Sequence, residues 1–255
     1  MRTALVLLSI CAGVARADAP TDAEASRLME LASVAHKHAQ QTRDPKDYER
    51  AASLYEQYFA RPAHPEEHAM SFYYAELLFR QQRYEEAAKY YDRAITVDPK
   101  GKFAKEAVYA FVISTKNAVK TPNPTADQPP PCAQPGPCPI PADLQRLLAA
   151  FDRYVALVPE SPQRPNMEYR RAKILYDYHH WAEAAPQFDH IFTAYPGNEL
   201  GTFSANLEMD CLVLLKRWSE LRALVERVKK SPIMSDATTQ QQVRDNEAAL
   251  KKQRK

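Results

Sequence analysis

The sequence predicts an all-α protein built from successive helical hairpins. Apolar residues recur at the i, i+3, i+4, i+7 spacing of helices with one buried face through most of the 255 residues. The chain has only five glycines, and most of its 20 prolines fall between the periodic segments, where they end helices. One pattern also repeats: Tyr48, Ala51 and Tyr55 lie 36 residues before Tyr84, Ala87 and Tyr91.

Residues 1–17 have the pattern of a secretory signal peptide. Arg2 precedes an apolar stretch over 4–14, and residues 15–17 read Ala-Arg-Ala, a small-residue cleavage site. The stretch is shorter than the roughly 20 residues that span a bilayer. Two alternatives stay open: a buried N-terminal helix, and a lipoprotein signal at Cys11, although lipoprotein signals resemble one another in having a small residue where this chain has isoleucine. We expect an exported protein.

Net charge argues against nucleic-acid or membrane-surface partners. The full chain carries a formal charge of +2, and cleavage after residue 17 would remove two arginines and no acid, leaving 0. A neutral chain has no overall field that would attract nucleic acid or an anionic membrane. We therefore expect neither nucleic-acid binding nor direct membrane insertion.

The clearest hairpin is His68–Pro99. Two amphipathic helices are predicted, over about 66–81 and 84–96, and the short turn between them requires an antiparallel arrangement. Small residues at Ala75, Ala87 and Ala88 allow the two backbones to approach closely. Pro99 ends the pair, because proline does not continue a helix.

The same organisation extends along the chain in five predicted repeats and a tail. The predicted units are about 32–65, 68–99, 103–158, 165–198 and 202–232, followed by a polar segment, 235–255, read as a tail or a partial capping helix. The first-helix register of the fifth unit is ambiguous around Met209 to Cys211. The predicted helical domain is therefore 18–234.

The third repeat is interrupted at 121–141. Nine of these 21 residues are proline, so the segment is not expected to be helical, and we predict a loop that projects from the array. Cys132 and Cys138 are predicted to form a disulfide, whose short ring would stabilise the fold by roughly 2 kcal/mol in the chain-entropy model. Cys211, among apolar residues, is predicted to be a buried free thiol.

The sequence lacks the patterns that carry catalysis or cofactor binding. It has no Gly-rich phosphate loop and no G-x-S-x-G, and its seven histidines are scattered. His64 and His68 have helical metal-ligand spacing, but Pro65 separates His64 from the predicted helix. We therefore predict no enzyme activity, no catalytic residue, no cofactor and no metal.

The hairpin at 68–99 resembles the tetratricopeptide repeat. That 34-residue unit has characteristic positions filled here by Ala75, Ala87, Tyr91, Ala94 and Pro99. The resemblance covers roughly 32–232 and loosens where the period lengthens to 36 and where Ile191 replaces the usual alanine. It implies a right-handed superhelical solenoid of about five repeats, stacked along a continuous core.

In that family the first helix of each repeat lines a concave surface that binds partners. Carried over, the resemblance points to Phe72, Glu76 and Phe79 in repeat two and to Asn166, Tyr169, Lys173 and Tyr176 in repeat four. Aromatic rings with one charge of each sign suit a bound peptide, extended or helical. The alternative is that some of these rings pack against neighbouring helices.

The exported character and the long repeat period resemble tetratricopeptide repeat proteins of the bacterial envelope. This resemblance implies a non-catalytic scaffold in the Gram-negative periplasm, with outer-membrane association only through its partners. The alternative is a chaperone-like module that holds exported polypeptides. The sequence leaves the partner, the pathway and the oligomeric state open.

Overall fold

The structure is a computed structural model that describes residues 20–62, 64–125, 128–130 and 136–253. Over these residues all regular structure is helical, with eleven α-helices, one short 3₁₀ turn and no strand. This confirms the all-α prediction. The predicted signal peptide, 1–17, lies outside the described residues.

The helices follow one another as hairpins with short turns, except between α5 and α6, where the insertion lies. Their bounds are α1 Pro20–Thr42, α2 Pro45–Phe59, α3 Glu67–Arg80, α4 Tyr84–Val97, α5 Ala104–Ala118, α6 Ala142–Leu157, α7 Arg164–Asp177, α8 Trp181–Ala194, α9 Glu199–Leu214, α10 Trp218–Lys229 and α11 Ala237–Lys252. The two helices predicted at 66–81 and 84–96 agree with α3 and α4 to within one residue at each end. The chain divides into two compact units, one up to Glu67 and one from His68 onward.

The first unit contains the α1–α2 hairpin. Small residues on α1, among them Ala25, Ala32 and Ala39, are buried with the tyrosines of α2. Inside this hairpin His36 contacts the Tyr55 hydroxyl through Nδ1 at 3.1 Å and accepts from Gln40 through Nε2 at 3.2 Å. Burial lowers the pKa of His36 below its usual value.

In the second unit, helices α3 and α4 pack antiparallel, as predicted. Ala75, Ala87 and Ala94 have no exposed surface, so the backbones approach closely. The Tyr74 ring meets Tyr90 edge-on at 4.5 Å, and the buried Tyr91 donates its hydroxyl proton to Glu76. Each subsequent helix contacts the one before it, from α4 to α11.

The insertion does not project along its whole length. Its described residues are not helical, as predicted, but its C-terminal end packs on the turn between α7 and α8. The Cys138 N–H donates to the Tyr178 carbonyl at 2.8 Å, and the Cys138 carbonyl accepts from His180 at 2.9 Å. Ile140 packs against the α7–α8 core. Backbone pairing and apolar burial hold this end of the predicted loop against the array.

Two described cysteines behave differently. Cys138 takes part in a disulfide, whereas Cys211 is a buried free thiol. Cys132, the predicted partner of Cys138, lies outside the described residues, so that pairing stays a prediction.

The polar segment at the C-terminus forms a helix. Asp236 caps α11 by accepting from the Thr239 N–H at 2.7 Å. Val243 and Leu250 are buried in a cluster with residues of α9 and α10. The segment is therefore part of the core, and of the alternatives considered for it, the helix is the one observed. Among the described helices, none combines the length and apolar character that crossing a bilayer requires.

Candidate partner-binding surface

The residues predicted in repeat four lie beside α9 and α11. Helix α9 contacts both α7 and α11. Tyr169 and Phe203 are 34 residues apart, as are Tyr176 and Asp210, so equivalent repeat positions meet across the α7–α9 contact. We define the first-helix surface as the exposed and half-buried residues Asn166, Tyr169, Lys173, Tyr176, Asp177, Phe203, Asp210 and Gln242.

The aromatic rings on this surface are half packed and half open. Tyr169 lies 6.2 Å from Phe188 and 6.4 Å from Phe203, measured between ring centroids. Tyr176 meets Phe188 edge-on at 6.2 Å, and both tyrosines lean on the α7–α8 core. Phe203, in contrast, leaves 43% of its surface exposed. The rings thus divide between the two alternatives that the sequence left open: they contact neighbours and also present a face outward.

The polar groups between the rings are connected to one another. The Lys173 ammonium is paired with Asp177 and lies 5.6 Å from the centre of the Tyr176 ring. The Tyr176 hydroxyl is hydrogen-bonded to Asp210, which also accepts from Gln242 Nε2 at 2.7 Å. Three helices therefore contribute to one network.

Burial determines how these groups titrate. It raises the pKa of Asp177, an effect that the Lys173 ammonium opposes. It likewise raises the pKa of Asp210, against the hydrogen bonds from Gln242 and Tyr176. The pKa of Tyr176 is raised by burial and by the Asp210 charge. A carboxylate that is partly desolvated in this way is stabilised when a ligand brings a hydrogen-bond donor or a cation to it.

Asn166 is at the start of α7. Its side-chain oxygen accepts from Arg170 Nε at 2.6 Å, so this pair joins two side chains one helical turn apart. It lies on the same helix as Tyr169, Lys173 and Tyr176, which places all four predicted repeat-four residues on one element.

The residues predicted in repeat two are engaged within their own hairpin and with the segment after it. Phe72 stacks on Phe103 with 4.6 Å between the ring centroids and nearly parallel planes. Glu76 accepts from Tyr91, and Phe79 meets Tyr84 edge-on at 5.2 Å. Glu76 is exposed and the two rings are half-buried. These three side chains already serve packing within the α3–α5 region.

Four members of the first-helix surface were not identified from the sequence: Asp177, Phe203, Asp210 and Gln242. The 34-residue spacing from Tyr169 and Tyr176 would have found Phe203 and Asp210 if the fifth repeat had been placed in that register. Asp177 and Gln242 carry no such signal, because their positions depend on the packing of α7, α9 and α11.

The described residues offer little for catalysis. They contain no group of three or more metal-binding side chains. The ring of His68 is fully engaged, since Nδ1 contacts the Ala94 carbonyl at 3.0 Å and Nε2 accepts from the Phe103 N–H at 3.2 Å. Burial, with the charges of Asp210 and Glu208, raises the pKa of Cys211 to about 12, so its thiol is a poor nucleophile.

Comparison with known proteins gives similar solved structures and a family model that matches one part of the chain. No curated protein matches the chain significantly. Solved structures similar to it include the TPR-like repeats of a protein described as a kinesin light chain from Podosopora anserina (TM-score 0.38, 16% identity, covering 85% of this chain and 98% of that one). MamA of AMB-1 is also similar (TM-score 0.43, 11% identity, 78% and 88%), as is a tetratricopeptide repeat protein from Parabacteroides merdae (TM-score 0.36, 11% identity, 89% and 78%).

The sequence profile of the tetratricopeptide repeat matches residues 46–102. This range spans α2 to α4. The tetratricopeptide repeat is in general a unit of protein–protein interaction, and its fold is typically non-catalytic. The match covers 57 of the 255 residues, so residues 46–102 are the part of the chain that is similar to the tetratricopeptide repeat.

Proposed function

We propose that this protein is a non-catalytic scaffold of the bacterial cell envelope that binds a partner polypeptide on its first-helix surface. The observation that carries the proposal is the open aromatic row on α7 and α9, where Phe203 is 43% exposed beside Tyr169. Aromatic side chains with one apolar face and a polar edge supply much of the energy of peptide binding.

The surface also favours a particular kind of partner. Apolar side chains of a peptide would cover the exposed faces of Phe203 and Tyr169. The half-buried carboxylate of Asp210 accepts from Tyr176 and Gln242 and has remaining lone pairs for a backbone N–H of the peptide. A peptide of mixed apolar and polar character, extended along the surface, satisfies both requirements.

The cell-envelope location is supported by the sequence alone. The pattern over 1–17 predicts export, and a disulfide at Cys138 fits an oxidising compartment. N-terminal sequencing of the protein recovered from the periplasm of the native host tests this part. A first residue near position 18 supports it, and an intact Met1 in the cytoplasmic fraction contradicts it.

Site-specific photocrosslinking tests the binding surface. A photoreactive phenylalanine analogue at Phe203 should give one dominant adduct in the native host, identified by mass spectrometry. The matched control is Val97, 45% exposed on the second helix α4, which should not give the same adduct. Equal yields of this product at both positions would contradict the proposed surface.

The alternative function is a holding module for exported polypeptides. The half-open rings favour it to the extent that they would accept many apolar segments. It predicts a broad distribution of crosslinked products from Phe203 rather than one, and binding that Tyr169→Ala and Phe203→Ala weaken equally for unrelated peptides. A single partner at fixed stoichiometry excludes it.

A further inference from the structure

A second site lies on the other side of the helix pairs, between α8 and α10. The two helices form the walls of a cavity of about 400 Å³, with α9 beneath it. The walls combine charged side chains with apolar residues, which are Ala182, Ala185 and Pro186 on α8 and Ala223 and Leu224 on α10. The first-helix surface described above uses none of these residues.

The floor of the cavity holds a buried carboxyl group. Glu208 on α9 is only 7% exposed, and its Oε2 atom has no hydrogen-bond partner among the described residues. Leaving such an atom desolvated and unpaired costs roughly 1–3 kcal/mol, more if the group is charged. A ligand that supplies a donor to this oxygen would recover that cost.

Pro186 adds a second acceptor to the same wall. It lies inside α8 and has no N–H, so the Ala182 carbonyl lacks the donor that a helix normally provides four residues on. Both Ala182 and Pro186 line the cavity. A residue whose backbone oxygen lacks its usual helical donor thus lines the same cavity as the carboxyl group of the floor.

The other charges around the cavity are already paired. Arg227 donates to Asp189 at 2.6 Å and to Thr193 at 2.9 Å, and Arg217 makes a two-point ion pair with Glu220. Counted as formal charges, two arginines and three carboxylates leave one negative charge when Glu208 is ionised. One bound cation would neutralise the site.

We propose that the cavity binds a primary ammonium group on an unbranched alkyl stem, such as a small aliphatic amine or a lysine side chain. The alkyl stem would lie along the alanine and leucine walls, while the three N–H donors would be directed to Glu208 and to the Ala182 carbonyl. This shape and charge exclude an anion, for which no unpaired cationic group is available among the lining residues.

Binding should release a proton. Burial, followed by the neighbouring Asp189 and Glu220 charges and opposed by Arg227 and Arg217, raises the pKa of Glu208 to about 8. The free site is thus mostly protonated at pH 7, and an ammonium group favours the ionised form, so about one proton passes to the buffer. At pH 7 part of the binding free energy is used to deprotonate Glu208, whereas at pH 9 the group is already ionised. The amine should therefore bind about tenfold more tightly at pH 9 than at pH 7.

The test is a titration of the full-length protein with n-butylamine, followed through the methyl resonances of Leu212 and Leu224. We expect saturable chemical-shift changes, and the affinity obtained from them should rise about tenfold between pH 7 and pH 9. N-acetyl-lysine amide is the second arm: if it also binds, a protein lysine fits the site, and if only butylamine binds, the ligand is a free amine. n-Butanol, with the same stem and no charge, should have little effect.

Three variants decide between this site and a structural carboxyl group. Glu208→Gln should abolish the pH dependence and weaken amine binding at least tenfold, while Glu226→Gln on α10, which does not line the cavity, should leave it unchanged. Ala223→Leu keeps Glu208 and fills the cavity from an exposed helix position, so the helical fold should persist and binding should be lost. Equal shifts with butanol, undiminished amine binding by Glu208→Gln, or no methyl shift with either amine would overturn the proposal.

Discussion

Single residues at the helix turns adopt a left-handed backbone conformation that the sequence gives no reason to expect. The φ angles of Gln82, His179 and Lys216 are 59°, 62° and 57°. Each follows the first helix of a hairpin and precedes a residue whose N–H donates to the carbonyl five residues earlier, as from Arg217 to Leu212 at 2.8 Å. This is the Schellman geometry, in which the left-handed position is usually glycine.

Replacing one of these residues by glycine should therefore stabilise the protein. Lys216 is exposed, so Lys216→Gly removes the strain of a Cβ at positive φ and loses few contacts. We expect the free energy of unfolding to rise by roughly 0.5–1 kcal/mol in urea denaturation. Lys216→Ala, which keeps the Cβ, should give no such gain, and a gain equal to that of the glycine variant would contradict the strain argument.

At the scale of elements, the second helices of successive hairpins are joined by a recurring arginine–aspartate ion pair. In α4 and α6 an aromatic residue is followed directly by an aspartate and an arginine, in Asp92-Arg93 and Asp152-Arg153. Arg153 on α6 reaches back to Asp92 and Thr96 on α4, as Arg227 on α10 reaches back to Asp189 and Thr193 on α8. Such exposed pairs contribute little energy each, but they fix which faces of the second helices meet.

Asp143, in the first turn of α6, closes the insertion. Its carboxylate accepts from the Lys120 N–H at 2.9 Å and from both the N–H and the hydroxyl of Thr121, at 3.0 Å and 2.8 Å. The start and the end of the insertion are thereby held together. Burial would raise the pKa of Asp143, but the hydrogen bonds from Thr121, Lys120 and Leu144 lower it to about 2.

Asp143→Asn should loosen this closure. The contribution of the carboxylate is present above the unfolded-state pKa near 4 and is lost as the pH falls through the folded-state pKa of about 2. Because the group is partly exposed, we expect a loss of only about 1 kcal/mol at pH 7. Hydrogen exchange at Lys120 and Thr121 should quicken in the variant, and the stability difference should disappear between pH 4 and pH 2. A difference that is constant over that range would contradict the assignment.

At the scale of the whole molecule, the sequence predicts what is local. Helices and the buried small residues, such as Ala75 and Ala87, follow from apolar spacing within one hairpin. The docking of Cys138 on Tyr178 was missed because it joins segments 40 residues apart through backbone atoms, which leave no side-chain pattern. In the candidate site, Tyr169 and Tyr176 could be named from repeat position, whereas Gln242 depends on where α11 packs.

Helix α11 is the clearest case of a role that composition conceals. Its segment is polar overall, yet Val243 and Leu250, seven residues apart, are 4% and 6% exposed in the core formed with α9 and α10. Two apolar residues suffice for burial only because the neighbouring helices leave an apolar face open at that place. The last repeat of a solenoid needs such a cover, since its core has no following repeat.

Removing α11 should therefore cost more than its composition implies. Truncation after Asp236 deletes Val243 and Leu250, exposes the core they cover, and should lower the free energy of unfolding by roughly 4 kcal/mol. It also removes Gln242 and so frees Asp210 on the first-helix surface, which should change the affinity for the partner polypeptide. Leu250→Ala, a milder change, should cost about 2–3 kcal/mol while leaving Gln242 in place. Urea denaturation followed by circular dichroism measures both, with truncation after Lys252 as the control. If all three proteins unfold at the urea midpoint of the full chain, α11 does not stabilise the end of the array.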